Sequence, residues 1–244
     1  ARLAIPEPDD AQVEQALDAL ARALKREVAP AEAAYLLARH HAPRSFDDPA
    51  ASGIALEHFR LAAETAPRSG LHRAAYGAYL GRLARAREAK AVLLELVDDE
   101  RLGPEPLIEL ARVVTTDAKL RGTPVDEDVA GWLTTAAQRG GDPWRLELEW
   151  ARFELARRNP RALDRGRVRV EEVLAHDPRN VEARALHGTI LLALGEQQAA
   201  RATLREGIRR TLRVIDGRLY VVLARAEMAA GQKRRAASIA YKGW

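Results

Sequence analysis

Apolar residues recur three and four positions apart along most of this chain, the spacing that lines one face of an α-helix. Val13, Ala16, Leu17, Leu20, Ala21 and Leu24 form the first such stripe, behind a lead-in made irregular by Pro6 and Pro8. Asp9 and Asp10 stand at its start, where they supply an N-cap and a favourable negative charge. Pro30 opens a second helix with Ala34, Leu37, Ala38 and His41 on one side and Tyr35 beside them. Residues 42–50 mix Pro, Ser and paired Asp and read as a loop. A third helix over 53–66 is broken by Pro67, Ser69 and Gly70, and a fourth follows over 71–85. Two shorter helices are expected over 87–97 and 104–114, with Leu93, Leu94, Leu107, Ile108 and Leu110 as core candidates, then a loop over 115–124.

From Glu147 onward the chain repeats itself. Taking Val181 as the first residue of a 34-residue unit puts Gly188 eighth, Leu191 eleventh, Ala200 twentieth and Leu204 twenty-fourth. One unit earlier, counted from Glu147, Trp150 stands fourth, Phe153 seventh, Gly166 twentieth, Val170 twenty-fourth and Pro178 thirty-second. One unit later, after two extra residues, Ile215 and Asp216, Tyr220 stands fourth, Leu223 seventh, Ala224 eighth, Ala236 twentieth and Ala240 twenty-fourth. This grammar resembles the tetratricopeptide repeat, with departures at Arg184 (place four), His187 (place seven) and Glu154 (place eight). Upstream, the segments around Ala55, Leu56, Phe59, Ala62, Ala63, Gly77 and Leu80, and around Trp132, Leu133, Ala136, Ala137 and Gly140, are similar to the Sel-like repeat, a relative with longer and more variable loops.

These resemblances imply an all-α fold: a right-handed α-solenoid of antiparallel helix pairs, about 12–13 helices in roughly six pairs, each too small to bury its apolar face alone. The small residue at place eight is expected to let the place-twenty residue of the second helix come close. The whole chain, 1–244, is expected to be one superhelical domain, with divergent helices over 1–50, Sel-like repeats over 51–146 and tetratricopeptide repeats over 147–244. Ile239, Ala240, Tyr241 and Trp244 are expected either to cap the array with an amphipathic helix or to lead into a further segment.

Charge changes the picture. Ala151 to Trp244 hold 20 Lys plus Arg against 10 Asp plus Glu, a net of +10, so the overall +4 leaves −6 for residues 1–150. Such asymmetry fits an anionic partner at the C-terminal end, head-to-tail self-association, or arginines solvated on outer helix faces. Cysteine is absent, which excludes a disulfide framework and thiolate chemistry. No apolar run approaches the ~20 residues of a membrane span, and the chain begins at Ala1, which is compatible with a removed leader or with a piece of a longer protein.

Candidate chemistry is sparse. His40 and His41 are adjacent, and His58, His72, His176 and His187 lack a histidine partner at helical spacing, so neither a metal site nor any cofactor is expected. No nucleophile elbow or phosphate-cradling loop occurs, and the paired carboxylates Asp47–Asp48, Asp98–Asp99 and Glu171–Glu172 read as caps or solvated charge. The chain therefore reads as a non-enzyme. Trp132 and Trp150 read as packing residues, and Trp144, beside Pro143 at a turn, divides evenly between packing and a ligand platform.

The repeat resemblance implies a protein-binding scaffold that docks a peptide or helix on the wall formed by the first helix of each pair, with Arg152, Arg184, Thr189 and Arg225 as candidate contacts. A second candidate is a basic strip of Arg157, Arg158, Arg161, Arg165, Arg167, Arg169, Arg205, Arg209, Arg210 and Arg213, suited to an anionic polysaccharide or RNA. Nucleic acid is disfavoured because only Trp150, Phe153 and Tyr220 lie nearby as stacking surfaces. A third reading is a regulatory domain of a larger enzyme or membrane protein. The mixed repeats and alanine- and arginine-rich composition suggest a bacterial protein, with a periplasmic scaffold of an exopolysaccharide secretion machine as the specific expectation; the compartment, periplasm or cytoplasm, and the oligomeric state are left open.

Overall fold

Short polar side chains set where many of the helices begin. Asp48 accepts a hydrogen bond from the Ala50 N–H (2.8 Å), Asp142 from Arg145 (2.7 Å), Asn159 from Ala162 (2.9 Å) and Asn180 from Ala183 (2.9 Å), each satisfying a backbone donor that the helix itself leaves open. The structure, a computed structural model, describes residues 10–43, 48–125, 128–210 and 217–243. Among these residues there are thirteen α-helices and no strand: α1 (Asp10–Lys25), α2 (Pro30–His41), α3 (Pro49–Thr65), α4 (Gly70–Arg82), α5 (Ala86–Leu94), α6 (Glu105–Arg121), α7 (Asp128–Gln138), α8 (Pro143–Arg157), α9 (Pro160–His176), α10 (Val181–Ala193), α11 (Gln197–Arg210), α12 (Gly217–Ala229) and α13 (Lys233–Lys242). Asp9, Asp47, Ile215, Asp216 and Trp244 lie outside the described residues.

Two boundaries differ from the sequence expectation by more than three residues. The third helix starts at Pro49 rather than Gly53, because the capping carboxylate of Asp48 and a proline in the first turn begin it inside the stretch read as loop. The stretch 115–124 is not a loop throughout, since α6 runs on to Arg121. Its threonine is absorbed: the Thr115 hydroxyl donates to the Ala111 carbonyl at 2.8 Å, and Ala118 continues the buried stripe. The helix stops where Gly122 turns left-handed (φ 70°) and the Thr123 N–H reaches back to the Ala118 carbonyl.

The helices gather into two compact units, Ala1–Leu110 and Ala111–Trp244, the division falling inside α6. In the first, α2, α3 and α4 enclose a core of Ala38, Ala42, Ala55, Phe59 and Tyr79. In the second, α8/α9, α10/α11 and α12/α13 are the helix hairpins, and two core clusters run from one into the next. Leu148, Ala151, Leu163, Val170, Ala183 and Ile190 join α8 and α9 to α10, and Ala185, Leu204, Leu219 and Leu223 join α10 and α11 to α12. Each hairpin thus completes its burial only against the next.

Within the hairpins the close approach is made by glycine and leucine. A Cβ added at Gly188 would sit 2.7 Å from Leu204, and one at Gly77 would sit 2.7 Å from Leu93. The place-eight glycine therefore receives the place-twenty-four leucine rather than the expected place-twenty Ala200, because the leucine side chain is long enough to fill the gap while Ala200 is buried beside it. In the preceding hairpin, Gly166 at place twenty faces Glu154 at place eight, at 3.4 Å from its Cβ. In the last hairpin Ala236 is buried, Ala224 half-buried and Ala240 exposed, and Ala236 is the one residue α13 buries.

Packing and burial here give two testable expectations. Gly188→Ala and Gly77→Ala each force an enclosed leucine to shift and are expected to cost about 1–3 kcal/mol, whereas Gly131→Ala, with open space around its Cβ, is expected to stabilise by about 0.5–1 kcal/mol; urea midpoints check all three. Desolvation holds the imidazoles of His58 and His187 below their ordinary value of 6.5, against the opposing pull of Glu57 and Glu171 respectively. Both rings bind a proton more readily once unfolded, so their contribution is present above pH 6.5 and is lost as pH falls through the lowered values. Thermal midpoints are expected to drop between about pH 7 and about pH 5, less steeply in His187→Gln.

Candidate functional site

The first helices of the second unit leave one face open. Ala185 and Leu186 of α10 and Val221 and Val222 of α12 form the apolar floor of a groove of about 310 Å³, and Val221 is 50% exposed there. Lys119 from the end of α6, Arg152 of α8 and Arg218 and Arg225 of α12 stand around this floor, with Glu182 as the one carboxylate of the lining. Four cations against one anion is the charge state of the site.

The anion is committed. Arg152 bridges Glu182 and Glu149, its Nε lying 3.4 Å from the latter. Burial works to raise the pKa of Glu182, but Arg152, Arg112 and Arg218 outweigh it, and the carboxyl is held below its usual value and stays charged. Glu149 is itself buried and takes a bond from Arg112 Nε at 2.9 Å. Arg225 is exposed and has no ion pair or hydrogen bond from its guanidinium among the described residues. Lys119 is likewise without a carboxylate. Desolvation, and then the positive charge of Arg225, Arg152 and Arg158, push its ammonium below the ordinary lysine value of 10.5. Lys119 and Arg225 thus bring to the groove positive charge that no carboxylate among the described residues pairs.

Of the contacts expected from the sequence, Arg152, Thr189 and Arg225 meet in this groove. Thr189 returns its hydroxyl to the Ala185 carbonyl at 2.8 Å. Arg184 lies elsewhere: its stem crosses Gly207, where an added Cβ would come within 2.3 Å of it, and its guanidinium donates to the Pro178 carbonyl at 2.6 Å. The same arrangement recurs one hairpin on, where Tyr220 lies over Gly243. The sequence signal was the glycine at place twenty-seven in both units, which marks place four as a packing position. Lys119, Glu182 and Arg218 were missed, Lys119 because its stretch read as loop.

The ten arginines of the expected basic strip are largely paired. Glu154, only 4% exposed, takes both oxygens to Arg165 (2.7 and 2.9 Å), with Arg157 at 3.9 Å. Arg167 holds Asp164 and Glu196, Arg169 holds Glu147, Arg205 holds the fully buried Glu227, and Arg209 and Arg210 share Glu206. Arg158 donates to the Lys119 carbonyl, Arg161 is exposed, and Arg213 lies outside the described residues.

Other features offer less. A larger cavity, about 520 Å³, is lined by Trp150, Phe153, Glu154, Arg157 and the residues leading into α7, but its charges are spent: Glu154 on Arg165, and Arg157 over the Phe153 ring at 5.6 Å. Trp150 packs edge-on against Phe153 with Arg169 over its face. Trp132 is half-buried. Trp144 stacks on His176, ring centroids 4.3 Å apart. Among the described residues no three His, Asp or Glu are grouped to hold a metal, and no helix is long and apolar enough to cross a membrane.

No protein-family model matches the sequence, and no curated protein matches it. Solved structures do. A thermophilic tetratricopeptide repeat protein of Thermus thermophilus superposes with a TM-score of 0.60 at 16% identity, over 72% of this chain and 90% of that one. A tetratricopeptide repeat protein from Parabacteroides merdae gives 0.53 at 17% identity, over 85% of this chain and 78% of that one. With its successive helix hairpins and its glycine–leucine contacts, the chain has the tetratricopeptide-type helical-repeat fold, an all-α fold of the solenoid class.

Proposed function

We propose that the chain is a non-catalytic protein-interaction module whose second unit docks an extended acidic segment of a partner protein in the groove of α8, α10 and α12. The observation that carries this reading is the coincidence of an apolar floor, Leu186, Val221 and Val222, with two cations, Lys119 and Arg225, that have no carboxylate partner among the described residues. Apolar side chains of a bound segment would cover the floor, while its carboxylates would meet the arginine fork and the ammonium. The helical-repeat fold supports the same use, because stacked hairpins present an extended wall rather than a closed cleft. As a setting we infer a periplasmic scaffold of a bacterial exopolysaccharide secretion machine, on repeat type and composition alone; fractionation of the native host, with recovery of secretion proteins alongside the chain, is its test.

A fluorescein-labelled peptide alternating Glu and Leu serves as the probe of the groove. Arg225→Glu and Lys119→Glu are each expected to weaken its binding about tenfold or more, roughly 1.4 kcal/mol, while Arg161→Glu, outside the groove, leaves it unchanged. Binding is expected to weaken with salt. It also falls as pH rises through the lowered pKa of Lys119, since the ammonium is charged only below that value, and Lys119→Arg is expected to remove this alkaline loss.

A further inference from the structure

The first unit carries a pocket of its own. Tyr35 and Arg39 of α2 form one wall, Ala75, Ala78 and Arg82 of α4 the other, and the buried rings of Phe59 and Tyr79 close it from below; its volume is about 330 Å³. That is near the lower end of the range of ligand sites, about 300–1,000 Å³, and suits one large side chain with a few neighbouring atoms.

Its surfaces are of two kinds. The first is aromatic. Tyr35 meets Phe59 edge-on at 6.3 Å, Phe59 meets Tyr79 at 5.0 Å, and the small Ala75 and Ala78 leave room above these rings. Tyr79 is committed, its hydroxyl donating to the Ser52 carbonyl at 3.3 Å. The second is cationic. Among the described residues the lining contains Arg39 and Arg82 and no carboxylate. Neither guanidinium has an ion pair or a hydrogen bond among the described residues, although Arg39 lies over the Tyr35 ring at 5.7 Å. Stacking occupies the face of that guanidinium and leaves its N–H fork available in the plane.

This is a local reversal of the surroundings, because residues 1–150 carry a net −6. Four other arginines of the unit, Arg60, Arg73, Arg85 and Arg101, are tied to glutamate or aspartate. Two free forks at the rim of an aromatic pocket select for a ring with negative charge close beside it. An apolar ring alone would leave the forks unused, and a bare acidic chain would leave the rings exposed.

We propose that this pocket binds a short peptide segment of a partner protein in which an aromatic residue is flanked by carboxylates, the ring entering between α2 and α4 and the carboxylates meeting Arg39 and Arg82. The site is separate from the groove of the second unit and does not rest on the reading given to that groove.

Fluorescence polarisation of the full chain with a labelled peptide Ser-Asp-Phe-Glu-Gly-Ser tests it. The expected result is saturable binding that falls about tenfold or more with Arg39→Glu, with Arg82→Glu, or with Phe replaced by Ala in the probe. Arg87→Glu, a reversal on α5 away from the pocket, is expected to leave it unchanged. Circular dichroism and the melting midpoint of each variant establish that it is folded; both arginines are exposed, so reversal is compatible with folding. Absence of binding, unchanged affinity in folded Arg39→Glu and Arg82→Glu, or equal affinity for the alanine probe would overturn the proposal. Competition by N-acetyl-phenylalanine as effective as that of unlabelled peptide would also overturn it, in favour of a small aromatic acid. Arg39→Glu and Arg82→Glu are expected to leave binding of the Glu-Leu peptide unchanged, which separates the two sites.

Discussion

A glycine set opposite a leucine is the contact on which these hairpins turn. With hydrogen in place of a methyl at Gly188 and Gly77, the facing Leu204 and Leu93 lie against helix backbone, both fully buried. Two helices held this close cover the leucine but leave apolar residues along their outer edge, and that edge is covered by the first helix of the following hairpin, as Leu163 and Val170 of α9 are by α10 and Ala185 of α10 by α12. Close approach within a pair and burial between pairs are therefore two consequences of one steric choice. A β-carbon at the notch would disturb both, because protein interiors have little slack to absorb it.

Buried glutamates impose a second constraint. Glu149, Glu154 and Glu227 are almost wholly enclosed, yet each is met by arginines from other positions: Arg112 and Arg152, Arg165 and Arg157, Arg205 and Arg201. Such pairs are weak sources of net stability, since desolvation cancels much of the attraction. Their effect is to penalise misalignment: sliding a helix by one turn would strand a carboxylate in a low-dielectric interior. Leucine and glycine specify that hairpins form, and these ionic contacts restrict how neighbouring helices register.

Much of this was legible in the chain. Spacing of apolar residues located the helices, and the small residues at place twenty, Gly166, Ala200 and Ala236, marked the hairpins from Glu147 onward. What escaped has physical reasons. Thr115 looks like a helix breaker until its hydroxyl is seen to bond back to Ala111, so α6 read too short and Lys119 was lost with it. Arg184 occupies a place that faces a ligand in principle, but Gly207 opens a channel that its long apolar stem fills. The pocket at Arg39 and Arg82 involves residues 43 positions apart, brought together by the fold of three helices, and no local periodicity announces it.

Charge shows most clearly why composition and position must be separated. A net of +10 over the last 94 residues invites the picture of a basic surface, and the arginines that produce it are real. Most of those on the second helices, however, are consumed by Glu154, Glu147, Glu196, Glu206 and Glu227, which turns excess charge into internal bracing. A polyanion approaching those faces would have to compete with carboxylates already in bonding range. Among the described residues, two pairs of cations without a carboxylate border surface that needs covering: Lys119 and Arg225 beside an apolar floor, Arg39 and Arg82 beside aromatic rings. Affinity for an acidic partner depends on charge that is unspent and next to surface that needs covering, and that criterion, rather than net charge, is what singles out the two places proposed above for recognition.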